Sequence, residues 1–167
     1  MMQNTPPRQL AMRLPPVADE LLSSWIGRHA TFYAVPPLVM LRHCVSEASS
    51  LRATDLHLTS DQEIRLASMF STDPAIIRRM TFDHVVRSSH RLLAATPVQY
   101  CGDCKSDEAK PAPTLRSQLL GWCITCPLCG SQLRDTGGPE LPSPFRQYRI
   151  FPTIPHCGSS RRKAAPR

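Results

Sequence analysis

Cys-Gly-Asp-Cys at residues 101–104 and Cys-Pro-Leu-Cys-Gly at residues 126–130 form two Cys-x2-Cys pairs with 21 residues between them. Each pair of this kind sits on a tight turn, a knuckle, and two knuckles bring four thiolates to the corners of a tetrahedron. Four thiolates leave no coordination position open, so the expected cofactor is one structural Zn²⁺ and not a catalytic ion. The spacing therefore predicts a zinc-ribbon or treble-clef style of site whose ligands are Cys101, Cys104, Cys126 and Cys129.

The remaining cysteines offer alternatives. Cys123 and Cys126 also have the two-residue spacing, but proline after Cys126 and glycine after Cys129 favour the later pair. Cys123 then packs as a small apolar residue beside Trp122. Cys44 lies on a predicted helix and is expected in the core.

Two further features bear on the metal. Gly102 and Gly130 stand where knuckle turns need a residue that is free to adopt a positive φ. His156 and Cys157 are a second metal-binding candidate, although no partner pair lies near them in the sequence.

The charge balance favours a polyanionic partner. The chain has 167 residues and a net charge of +7, and 17 of its 20 basic residues are arginine. Phosphates attract such an excess through counterion release, although a GC-rich genome gives the same arginine bias without any physical reason. Neither a secretory signal nor a membrane-spanning apolar run is visible, so we expect a soluble cytoplasmic protein with no membrane partner.

Apolar periodicity predicts a mainly α-helical N-terminal region. A first helix starts near Asp19, and proline residues 36 and 37 separate it from a second over residues 38–48. Ser60 and Glu63 have the spacing of a capping box at the start of the clearest helix, whose buried face is expected to contain Ile64, Ala67 and Phe70. Residues 81–95 are expected to continue as a further helix.

Residues 60–80 have the outline of a helix-turn-helix, in which two helices flank a three-residue break. Arg78, Arg79 and Arg87 are the candidate phosphate contacts on and after the second helix. A helical hairpin within a core has the same outline, and both interpretations stand at this point.

The sequence divides into four parts. Residues 1–15 are a flexible lead-in, 16–97 a helical region, 98–135 the zinc-binding module, and 136–167 a disordered, proline-rich basic tail. The tail is either a phosphate-binding arm or a solvated chain end, and its candidate contacts are Arg161, Arg162 and Lys163. The six histidines are scattered and no nucleophile–base set stands out, so an enzyme is not expected.

Residues 14–30, Leu-Pro-Pro-Val-Ala-Asp-Glu-Leu-Leu-Ser-Ser-Trp-Ile-Gly-Arg-His-Ala, resemble the opening signature of the TniQ family. The residues of this segment that match the acidic, tryptophan and arginine positions of the signature are Glu20, Trp25 and Arg28. Arg28 is expected either to pair within the fold or to face a partner. Residues 126–133 look like the family's Cys-Pro-x-His-Gly-x-x-Leu element, with Cys129 in place of histidine, a replacement that zinc accepts.

This resemblance implies an accessory protein of DNA transposition in Tn7-like and CRISPR-associated elements, a non-catalytic adaptor for target-site selection. The implied partners are DNA, an AAA+ ATPase, the transposase, a guide-RNA effector complex and a second copy of the chain. Many family members are longer and carry a second zinc module, so this chain is expected to be a minimal or truncated member. The alternative function is a zinc-containing helix-turn-helix regulator that binds DNA by itself.

Overall fold

The protein is mainly α-helical, as the sequence predicts. The computed structural model describes residues 9–85, 87–104 and 112–136, without the side chains of residues 87 and 88. In these ranges the chain forms five α-helices, two 3-10 helices and one two-stranded antiparallel sheet. In chain order these are α1 (Leu22–Phe32), α2 (Pro37–Cys44), α3 (Leu51–Leu56), α4 (Ser60–Phe70), α5 (Pro74–Arg79), the 3-10 helix Arg87–Leu92, β1 (Gln99–Cys101), the 3-10 helix Arg116–Leu119 and β2 (Leu133–Asp135).

Tertiary contacts move two of the predicted helix starts. Helix α1 begins three residues after Asp19, because Asp19 has a φ of +61° and Glu20 forms an isolated β-bridge with Leu115. The capping box at the start of α4 belongs to Thr59 and Gln62, one residue before the predicted pair. Each of these two side chains accepts a hydrogen bond from the other residue's backbone N–H, at 3.3 and 3.0 Å.

Two further expectations for the helical region were wrong. Ile64 is 57% exposed, whereas Ala67 and Phe70 are buried as expected, together with Glu63, Leu66 and Met69. Turns and the short 3-10 helix Arg87–Leu92 occupy most of the segment that was predicted as a helix over residues 81–95. Among the described residues of this segment, the buried ones are Thr81, Phe82 and Leu93, which do not form the continuous apolar stripe of an α-helix.

The helix pair itself is present. Helices α4 and α5 are joined by the three residues 71–73, and Ser71 adopts a left-handed conformation that ends α4. The carboxylate of Asp73 accepts a 2.8 Å hydrogen bond from the backbone of Ala75, and Pro74 occupies the first position of α5. This cap and this proline make the break as sharp as in a helix-turn-helix.

Two apolar cores lie side by side. The first is formed by the helices and has Trp25, Ile26 and Phe70 at its centre, and Cys44 lies in it as predicted. The second contains Leu21 and Phe82 from the helical region together with apolar residues and cysteines of the later part. The cysteine-bearing segment is therefore packed directly on the helices.

Residues 9–15 contact the helical region. The backbone N–H of Leu10 donates to Met69 at 2.9 Å, and the Tyr33 hydroxyl bonds the backbone of Met12. The indole of Trp25 donates to the carbonyl of Leu14 at 2.9 Å.

Candidate metal centre and nucleic-acid interface

The first knuckle follows β1. Cys101 ends this strand and pairs with Leu133 of β2, so the backbone of the two strands fixes the first ligand position. Gly102 has no positive φ, contrary to expectation. A Cβ added at Gly102 would make an ordinary contact with Arg134, 3.4 Å from the guanidinium carbon, so this position does not require glycine.

The second knuckle is a tight turn held by its own backbone. The N–H of Cys126 donates to Ser131 at 2.7 Å, and the N–H of Gly130 donates back to Cys126 at 2.8 Å. Gly130 has a φ of +81°, as predicted, because the turn needs a conformation that residues with a Cβ rarely adopt. An isolated bridge between Thr125 and Gln132 closes the base of the turn.

The four predicted cysteines come together. Their sulfur atoms all lie within 4.8 Å of one another, with 3.5 Å between Cys101 and Cys129 and 3.7 Å between Cys104 and Cys126. Metal–sulfur bonds of about 2.3 Å in a tetrahedron require sulfur–sulfur distances of about 3.8 Å. The donor set and its dimensions therefore fit a tetrahedral metal ion that prefers thiolate ligands.

Cys123 does not belong to this cluster. It is buried in the second core, and its sulfur lies 3.5 Å from the carbonyl oxygen of Thr125. Of the two cysteine pairings that the spacing allowed, the structure brings together the one that uses Cys129. His156 and Cys157 lie outside the described residues.

The thiols of Cys104, Cys126 and Cys129 differ in acidity. Hydrogen bonds from the Ser131 hydroxyl and backbone lower the pKa of Cys129 to about 6, so this sulfur is readily a thiolate. Burial raises the pKa of Cys126. The pKa of Cys104 is raised by its hydrogen bond to Cys129 first and by burial second. Neighbouring thiolates repel one another, so deprotonation of the whole cluster requires a cation at its centre.

The signature residues lie directly before α1, in the case of Glu20, and within it, in the case of Trp25 and Arg28. Glu20 is 1% exposed, and its two carboxylate oxygens accept bonds of 2.8 and 2.7 Å from the guanidinium of Arg28. The same carboxylate accepts from the backbone of Val17 at 2.9 Å. Of the two roles open to Arg28, the structure therefore shows a pairing within the fold.

Sequence reasoning missed the contacts that join the two cores. The Asp19 carboxylate accepts 3.1 and 2.9 Å hydrogen bonds from the Arg116 side chain and the Ser117 backbone. The hydroxyl of Ser24 accepts from the backbone of Thr114 at 2.9 Å. These partners are separated by 90 to 98 residues, and no local pattern in the sequence indicates such pairs.

The arginines of the helix pair have different surroundings. Arg78 makes a two-bond ion pair of 2.9 and 2.6 Å with Glu63, a carboxylate whose residue is 3% exposed. Arg79 is exposed on α5, where it lines a groove of about 460 Å³ with residues of segment 16–20. The side chain of Arg87 lies outside the described residues.

The predicted basic contacts Arg161, Arg162 and Lys163 also lie outside the described residues. In the described ranges, none of the helices combines the length and the apolar character needed to cross a lipid bilayer. The family model of TniQ proteins matches residues 11–148, which is most of the chain. No curated protein matches the sequence.

Proposed function

This chain belongs to the TniQ family, whose members are accessories of DNA transposition, and we propose that it acts as a non-catalytic adaptor in target-site selection. In this role it links a target-recognition complex and DNA to the AAA+ ATPase that recruits the transposase. The observation that carries the proposal is the match over residues 11–148, which includes both the helical region and the four-cysteine cluster.

The metal that we propose for the cysteine cluster is one structural Zn²⁺ per chain. Four cysteine sulfurs within 4.8 Å favour zinc over the hard cations, which prefer oxygen ligands. When bound, the ion supplies a cross-link between the two knuckles. Coordination by four thiolates excludes a bound water, so this centre provides no catalytic position, in keeping with the proposed non-catalytic role.

The DNA contact that we propose is largely electrostatic. Residues 145–167 contain six Arg or Lys residues and no acid, and they account for most of the net charge of +7. Arg161, Arg162 and Lys163 are the proposed contacts there, and Arg79 and Arg87 are those of the helical region. Arg78 remains a candidate, although the charge of Glu63 already neutralises it. Binding of this kind is weak, non-specific and strongly dependent on salt.

Further partners follow from the same proposal. A guide-RNA effector complex is the target-recognition element in CRISPR-associated systems, and a second copy of the chain completes a homodimer. The proposed location is the bacterial cytoplasm, where the transposition machinery meets its DNA.

The experiment that tests the adaptor is co-purification with the AAA+ ATPase of its transposon, on DNA, with ATP, ADP or a non-hydrolysable ATP analogue. We expect a stable complex in at least one nucleotide state and a reduced one for Cys101→Ser, which removes a metal ligand. The matched control is Arg65→Ala on α4, which removes an arginine that pairs with the exposed Asp61 and should bind as the unmodified chain does. Absence of association in every nucleotide state would contradict the adaptor role.

A second candidate function is that of a helix-turn-helix regulator, favoured by the sharp break before α5 and the exposed Arg79. If the protein has this function, the isolated chain should protect a specific DNA sequence in footprinting. The variant Arg79→Ala should abolish that protection. The adaptor instead predicts binding without sequence preference, which weakens strongly on removal of residues 145–167. Because Arg79 is then one phosphate contact among several, Arg79→Ala should weaken binding slightly and equally for all sequences.

A further inference from the structure

The segment that precedes the family signature is held on the helices through its backbone at every second residue. The N–H of Leu10 donates to the carbonyl of Met69 at 2.9 Å. The N–H and carbonyl of Met12 both bond the hydroxyl of Tyr33, at 2.7 and 2.9 Å. The third position, Leu14, differs from the other two because an imidazole holds it.

Both backbone groups of Leu14 are bound by side chains of α1. Its N–H donates to Nε2 of His29 at 2.9 Å, and its carbonyl accepts from the indole of Trp25 at 2.9 Å. The other imidazole nitrogen, Nδ1, lies 2.9 Å from the carbonyl of Trp25, which can only accept. The proton of the ring is therefore on Nδ1, and Nε2 must be unprotonated to accept from Leu14. This arrangement requires a neutral imidazole.

The surroundings of His29 favour the neutral ring. The residue is 0% exposed, and its ring packs against Trp25 of α1 and Phe70 of α4, with centroids 4.9 and 4.7 Å apart. Burial is the main reason that the pKa of His29 is lowered, and the charge of Arg28 adds to it. The Trp25 carbonyl and the Glu20 carboxylate act in the opposite direction, but Glu20 is already paired with Arg28. A site without water or an unpaired carboxylate disfavours the imidazolium.

We propose that His29 is a proton-sensitive latch, which holds residues 10–14 on the helices while its ring is neutral and releases them when the ring is protonated. A proton on Nε2 would place two donors 2.9 Å apart, so the bond to Leu14 would be lost. The one charged residue of this segment, Arg13, is exposed and bonds the carbonyl that follows α4 at 3.5 Å, so it supplies no counter-charge. Release uncovers part of the first core, because Leu10 packs against it.

The test follows amide hydrogen exchange of the full, isotope-labelled chain by NMR, at a pH of about 7.5 and in steps down to about 5. Protection factors, which remove the intrinsic dependence of exchange on pH, are compared for Leu14 and for Leu66, a buried residue of α4. The nitrogen chemical shifts of His29 report its protonation independently. In His29→Gln the side chain keeps an acceptor that does not titrate. The control is His57→Gln, because His57 is exposed and pairs with Asp83.

We expect the protection of Leu14 to fall by about tenfold or more over this range, which is the effect of one lost buried hydrogen bond. The midpoint of this fall should coincide with the titration of His29. Leu66 should retain its protection, because the release is local. The variant His57→Gln should behave as the unmodified chain does, whereas His29→Gln should keep Leu14 protected throughout. Since the latter variant retains Asp55 and the cysteine cluster, any release that these titrating groups cause would persist in it.

Protection of Leu14 that does not change with pH would overturn the latch. The same loss in His29→Gln would also overturn it, because another titrating group would then be responsible. Equal losses at Leu14 and Leu66 would do so as well, because the helices would then unfold together with the segment. If the glutamine variant does not fold, the unmodified chain decides the matter, since a midpoint of release that differs from the titration of His29 contradicts the proposal.

Discussion

Replacing Arg28 by alanine removes the partner of a buried charge at the start of α1. The side chain of Glu20 is 0% exposed and that of Arg28 is 23% exposed, and they are joined by bonds of 2.8 and 2.7 Å. In Arg28→Ala the carboxylate keeps the backbone N–H of Val17 and loses its counter-charge. Breaking a buried ion pair from one side costs about 3 to 5 kcal/mol, and the partial exposure of Arg28 places the expected loss near about 3 kcal/mol.

The assay is thermal and urea unfolding followed by circular dichroism. A loss of about 3 kcal/mol lowers the melting temperature by roughly 6 to 12 °C in a protein of this size. The control is Arg65→Ala. Arg65 is 29% exposed, much like Arg28, but its partner Asp61 is 65% exposed and stays hydrated without it, so the loss should be less than about 0.5 kcal/mol. If Arg28→Ala melts like the control but no longer binds the ATPase, the reasoning fails and Arg28 faces a partner.

Three further changes are predicted to alter stability. Burial raises the pKa of Asp55 to about 6, above its unfolded value, so its contribution to stability should fall as the pH rises from about 4 to above 6. The amide in Asp55→Asn can still accept the 2.8 Å hydrogen bond from the backbone of Ser23. This variant should make the free energy of unfolding less dependent on pH in this range and raise it at pH 7 by up to about 3 kcal/mol. An unchanged dependence on pH in urea titrations would contradict this prediction. Gly130→Ala should cost about 1 to 2 kcal/mol because its φ is +81°. Gly102→Ala should leave the free energy of unfolding nearly unchanged, because its Cβ would make an ordinary 3.4 Å contact with Arg134. Similar melting temperatures for Gly130→Ala and Gly102→Ala would contradict this difference between the two knuckles.

Local spacing predicted the metal cluster and the helix break. Two residues between cysteines dictate a tight turn, and Gly130 with its positive φ completes the second one. Asp73 followed by Pro74 has the chemistry of a helix start, and both residues have that role at α5. These features depend on neighbours within a few residues, so a single sequence is enough to find them.

Tertiary pairing decided what local patterns left open. Two overlapping sequences, Thr59 with Gln62 and Ser60 with Glu63, satisfy the rule for a capping box. The first is used, because Glu63 turns into the protein and binds Arg78. In the same way Asp19 was expected in a helix, but its bonds to a partner about a hundred residues away hold it in a left-handed conformation. Sequence periodicity contains no information on such partners.

The metal content of the purified protein tests the central claim most directly. Mass spectrometry of the unmodified chain, Cys101→Ser and Cys129→Ser should give one zinc per chain in the first and a loss of zinc in both variants. Because a structural zinc contributes on the order of 10 kcal/mol to folding, the variants should also lose the structure of the cysteine module while the helices remain partly formed. A folded unmodified chain without metal, or variants that keep their zinc, would contradict the account.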